Sequence, residues 1–243
     1  MNAAVFKLTL RQFAGQRRSL LLIGLALIPL ALAVLFRLGE HLDQHEETAN
    51  FLADVVITAI LPLVCLILGT SALGSEIEDG TAVYLLAKPV PRRDIIAGKF
   101  AASALIAAAF LVPATALSGL IGLQGVSEEG IATGFTVAVL VGVLAYSAVF
   151  ILLSVATSRA LLIGLAYVFI WEGLITELFS GTRYLSIRQY CLGIADLIST
   201  VSERDFEANL GGVEALVLAT VVVATALVLA VRRLEAFELT GTD

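Results

Sequence analysis

Charge is what this sequence has least of: 15% of its 243 residues are Asp, Glu, Lys or Arg, against about a quarter in a soluble domain. Hydrophobic residues make up 59% and the mean hydropathy is +0.97. A soluble core of this length could not hide so much apolar surface. Soluble globular folds are therefore excluded, and lipid is the solvent for much of the chain. Cysteine is nearly absent too. Cys65 sits in an apolar run and Cys191 in a more polar stretch, which predicts two unpaired thiols rather than a disulfide framework. The two histidines, His41 and His45, share one acidic stretch. Four apart on a helix they would share a face, but no further His or Cys lies near enough to complete a metal site, so a solvated loop and no metal are expected. With both histidines there, no Ser–His or Cys–His pair can be built, and His-Glu-x-x-His is missing. The chain is not expected to be an enzyme. No Gly-x4-Gly-Lys-Ser/Thr loop occurs, so it should not hold ATP itself and needs no cofactor of its own. An excess of basic charge is also lacking: the net charge is −6 and the pI about 5.0, which argues against a nucleic-acid partner.

What is present is a series of long apolar runs. A segment in lipid must satisfy its backbone internally, as a helix or in a closed barrel. Barrel strands alternate polar and apolar residues; these runs are continuous, so helices are predicted. The expectation is an all-α polytopic membrane protein, a single permease-like domain over residues 1–243. Its six spans cover about 19–36, 51–73, 100–123, 131–153, 160–179 and 213–231, each near the 20 residues that cross a bilayer. Pro62 falls inside the second and Pro113 inside the third; Pro62 frees one backbone carbonyl and should kink its helix. Residues 1–18 carry Lys7, Arg11, Arg17 and Arg18 beside an apolar stripe, the pattern of an amphipathic helix lying along the headgroups. The basic region and the apolar run are both too long for a signal peptide, so the first span should be retained.

Orientation follows from Lys and Arg near the span ends. Eleven of the fifteen fall on the side of the termini, and only Arg37, Arg183, Arg188 and Arg204 on the other. Both termini are therefore expected in the cytoplasm. The acidic connections 37–50 and 124–130 would then lie outside.

The segment from Gly74 to Phe100 is polar and ordered in its logic. Glu76, Glu78 and Asp79 leave the membrane together, and Gly80 allows a sharp change of direction. Thr81 can cap a helix whose N-terminus favours those acids. Residues 81–88 make about two turns and must stop before Pro89. Carrying Val83, Tyr84, Leu85 and Leu86, so short a helix needs a surface to receive it. Arg92, Arg93 and Lys99 re-anchor the chain at the third span.

Glu76-x-Glu78-x-Gly80-Thr81, a short helix ending in Leu85-Leu86, then Pro89-Val90-x-Arg92 and Gly98-Lys99 resemble the permeases of type-2 ABC exporters. Tyr167, Trp171 and Glu172, with Arg183 to Ser186, are similar to one bacterial branch of them, and the resemblance extends over essentially the whole chain. It implies that 81–88 is a coupling helix seated in a separate cytoplasmic ATPase, which binds ATP and Mg. It implies two such ATPase subunits and a second permease copy, identical or related, in a bacterial cytoplasmic membrane. Residues 181–212 would form short outer helices that dip back over the cavity, with Tyr184 and Tyr190 at the interface.

Three residues stand out inside or beside the spans. Glu172 lies twelve residues into the fifth span, and a carboxyl at such depth faces the bundle interior. It is expected to serve structure, bonded to the last span or the outer segment; the alternative is a substrate or proton contact. In that case the chain would be an ion-coupled transporter or channel, although the internal repeat common in such proteins is not evident. Asp54 is placed near the outer end of the second span, and Trp171 adjoins Glu172.

Overall fold

A computed structural model of the chain describes residues 6, 8–9, 16–37, 44–78, 90–123, 130–199 and 208–236. Among these residues the fold is helical, without a strand. Helix α1 is Gln16–Arg37. Helix α2 runs as an α-helix over Gln44–Phe51, a π-helix over Leu52–Ile60, and an α-helix again over Leu61–Glu78. Helices α3 and α4 are Arg92–Gly122 and Ile131–Ala156. Helix α5 comprises Ala160–Ala166, a π-helical Tyr167–Ile175 and Thr176–Leu178. A 3-10 turn over Ser180–Leu185 leads into α6, Ile187–Ile198, and α7 is Gly212–Glu235.

Among the described residues, four helices are long and apolar enough to cross a bilayer: Glu47–Gly74, Arg92–Gly122, Ile131–Ala156 and Gly212–Glu235. They correspond to the second, third, fourth and sixth expected spans. The apolar parts of α1 (Leu21–Arg37) and α5 (Ala160–Ile175) fall short of 18 residues, or about 27 Å of helix. The helix of the fifth expected span ends where expected, at Leu178, and the chain turns extended at Phe179 and winds into the 3-10 turn.

Helix α4 is the hub, packed against α2, α3, α6 and α7. Without a hydrophobic drive between helices in lipid, close approach depends on small residues, and α4 supplies them. A Cβ on Gly142 would lie 2.6 Å from both Cys191 Sγ and Leu61 Cδ2, and one on Gly134 would lie 2.7 Å from the Ala195 carbonyl oxygen. Gly130, at φ 68°, takes the left-handed conformation that starts α4. Large side chains point the other way: Leu21, Leu105, Leu140, Leu162, Phe169 and Val217 are among the exposed apolar residues. That inversion of a soluble surface is what lipid solvation requires.

Several boundaries differ from the sequence expectation. Residues 44–50, assigned to an acidic outer loop, begin α2; Thr48 and Ala49 are buried, and Thr48 fills the space beside Gly122 of α3. A tertiary contact thus recruits a polar stretch that propensity leaves open. Helix α2 also continues through Glu78, and α3 begins at Arg92 rather than near residue 100. Lys99, expected at a membrane entry, is 2% exposed. Before Pro62, where a kink was expected, the helix is π-wound up to Ile60, and the Leu61 N–H bonds the Val56 carbonyl, five residues back. A proline ring collides with the carbonyl four residues before it, and the wider winding moves that carbonyl aside. Helix α3 runs on through Pro113.

Candidate functional site

The polar groups of the bundle gather where α5 meets the first turn of α6. Glu172, 2% exposed, accepts four hydrogen bonds. At Oε1 it receives the Tyr167 hydroxyl at 2.7 Å and the Ile187 N–H at 2.9 Å. At Oε2 it receives the Ser186 hydroxyl and, at 3.4 Å, the Arg188 N–H. Two of these partners, the Ile187 and Arg188 N–H groups, can only donate.

The local winding makes this possible. Tyr167 and Glu172 are five residues apart, which on an α-helix places them about 140° apart around the axis. A π-helix repeats at five and brings them onto one face. Thr176 donates its hydroxyl to the Glu172 carbonyl at 2.7 Å, continuing the helix below the site.

Two of the four donors are the first backbone N–H groups of α6, which have no partner within their own helix. Ser186 takes a third as N-cap, its hydroxyl accepting from the Gln189 N–H at 3.2 Å. An acidic group at a helix N-terminus is also favoured by the helix dipole. Glu172 is thus a cap supplied by a different helix. Trp171 Nε1 donates to the Leu185 carbonyl at 3.2 Å, so adjacent residues of α5 hold both the 3-10 turn and α6. Arg183 bonds Asn209 Oδ1 at 2.8 Å, tying that turn to the entry of α7.

Helix α6 is packed into the bundle. Ile187, Tyr190, Cys191, Ile194 and Ala195 are all buried, against α4 and α7. Tyr190, placed at an interface by its residue type, is 1% exposed, whereas Tyr184 is exposed. The Tyr190 hydroxyl donates to the Tyr184 carbonyl, and burial, then the nearby Glu172 charge, push its phenol up to about 12. Both cysteines are free and fully buried.

Asp54 lies ten residues after the start of α2, about 15 Å along it. It is well exposed, and its Oδ1 is 3.7 Å from the Arg188 guanidinium. Sequence reasoning gave Arg188 no role; its position on the first turn of an outer helix was the available signal. At the other end of the bundle the Lys99 ammonium donates to the Ala72 carbonyl at 2.6 Å, joining α3 to α2.

Of the residues tied to ATPase coupling, Gly80, Thr81, Tyr84, Leu85, Leu86 and Pro89 lie outside the described residues, as does the expected helix 81–88. The side chains of Glu76 and Glu78 lie outside them too, although their backbone ends α2. Most of the expected helix 1–18, and the His41 and His45 side chains, are likewise outside. Arg92 opens α3.

Over residues 30–236, from within α1 to the end of α7, the chain matches the family described as ABC-2 family transporter protein. The chain belongs to that family. No individual curated protein matches it. As an ABC-2 protein it is an integral membrane protein and the permease subunit of an ABC transporter, a transport subunit that is not itself catalytic. Membership implies association with ABC ATPase partners. Within this permease, Glu172 has the surroundings of a helix anchor.

Proposed function

We propose that this permease is the membrane subunit of an exporter in a bacterial cytoplasmic membrane, working with two separate ATPase subunits and a second permease copy. Six helices are few to enclose a path, and a second copy would complete it. Helices α1 and α5 serve as the first and fifth crossings of a single permease domain, and both termini face the cytoplasm. ATP and Mg belong to the ATPase.

In this proposal residues 81–88 form the coupling helix. Tyr84, Leu85 and Leu86 give it an apolar face for a groove in the ATPase. Glu76, Glu78, Gly80, Thr81, Pro89 and Arg92 set its entry and exit. The observation that carries the proposal is the buried Lys99–Ala72 bond. It joins α2 and α3 just above the segment between them, so a push on that segment would move both helices together rather than spreading them. The ion-coupled alternative loses its motive, because the Glu172 oxygens are occupied by donors of the protein itself. The substrate is proposed to be lipid-like or amphipathic, in keeping with the apolar helices.

Copurification with the cognate ATPase and hydrolysis by the reconstituted complex test the proposal. Glu78→Ala removes an acid from the helix approach, and Thr81→Pro removes the capping hydroxyl. Each should sharply reduce transport-linked hydrolysis. Intact coupling in both variants would reject residues 81–88 as the coupling element.

A further inference from the structure

Arg188 touches both π-wound segments of the bundle at once. Its guanidinium lies 3.7 Å from Asp54 in the π-helix of α2, and its backbone N–H is 3.4 Å from Glu172 Oε2 in the π-helix of α5. The two π segments each place one carboxylate on the same turn of α6. Glu172 is satisfied by burial and four donors, so its half of the joint is fixed. Asp54 is the adjustable half, since its side chain is 73% exposed while that of Arg188 is 12% exposed.

We propose that Arg188 is a positioning residue that joins α2, α5 and α6 into one block. Its side chain takes its register from α2 and its backbone from α5. When α2 shifts, the charge pair carries the first turn of α6 with it, and α6 pulls on Glu172. Movement delivered to α2 at the ATPase end thus reaches α5 and α6 together instead of being lost as bending at the π-helix. This consequence for transport rests on the exporter proposal above; the joint itself does not. A 3.7 Å pair with one partner 73% exposed is screened by solvent and adds little to stability, so its loss should move α6 without unfolding the chain.

The chain carries its own reporter, because Trp171 is its sole tryptophan and bonds the Leu185 carbonyl just before α6. The experiment measures Trp171 emission and anisotropy, together with the thermal midpoint, for the purified full chain in micelles without ATPase. Asp54→Asn and Arg188→Gln should each shift emission to longer wavelength and lower the anisotropy at an unchanged midpoint. Arg188→Lys and Asp54→Glu, which keep the charges, should retain the native spectrum. An unchanged spectrum in both neutral variants would overturn the joint, as would equal shifts in the charge-keeping variants. So would a spectral change that appears only together with a lower midpoint. Because no ATPase is present, none of these outcomes bears on the exporter proposal.

Discussion

Removing the Glu172 carboxylate separates an anchor from a transport group. Glu172→Ala deletes the acceptor for the Tyr167 and Ser186 hydroxyls and for the Ile187 and Arg188 N–H groups. The hydroxyls can rotate toward other acceptors; the two N–H groups cannot. A buried donor left without a partner costs about 1–3 kcal/mol, so the two together predict a loss of about 2–6 kcal/mol. Glu172→Gln keeps one acceptor oxygen but turns an amide NH2 toward one backbone donor whichever way the amide lies. The smaller loss comes with the NH2 facing Arg188 N–H, the longest of the four bonds, and should be about 1–2 kcal/mol. At about 2–4 °C per kcal/mol for a chain near this size, the glutamine variant should melt about 2–8 °C lower and the alanine variant about 4–24 °C lower. The assay is thermal unfolding of the purified permease, followed by hydrolysis and transport in the reconstituted complex below the lowered midpoint. A stable Glu172→Gln protein with its transport abolished would refute the anchor and assign the carboxylate to the substrate or proton path.

Other outcomes follow from the packing. Gly142→Ala should destabilise the chain by about 1–3 kcal/mol, because its Cβ would meet Cys191 Sγ and Leu61 Cδ2 at 2.6 Å; an unchanged thermal midpoint would contradict the close approach of α4. Lys99→Met keeps the apolar stem but loses the bond to the Ala72 carbonyl; the complex should still hydrolyse ATP but with transport reduced several-fold, whereas an unchanged ratio would remove Lys99 from coupling. The two cysteines, both fully buried, should resist maleimide in the folded chain and react only after denaturation. Rapid labelling of either in the native state, followed by mass spectrometry, would show the α4–α6 interface to be open.

Lipid solvation and an all-helical fold were legible in the sequence alone. Long apolar runs leave the backbone no other way to satisfy its polar groups. The family resemblance was legible because it rests on spaced residues, Glu76 to Lys99, that can be read without coordinates. Helix ends were less so. Residues 44–50 look like a loop because they are polar, and they become helix only where Thr48 meets α3. Residue type placed Tyr190 at an interface, and the family resemblance placed residues 181–212 over a cavity; small residues such as Gly134 and Gly142 let α6 pack deep in the bundle. Glu172 was recognisable as a buried acid inside an apolar run. Its partners were not, since Ser186, Ile187 and Arg188 lie fourteen to sixteen residues further on, and Tyr167 reaches it only on a π-helix. The one-dimensional pattern sets which groups must be hidden from lipid and which acids need partners. Only the folded chain decides which donors arrive, because that depends on winding and close contact between helices distant in sequence.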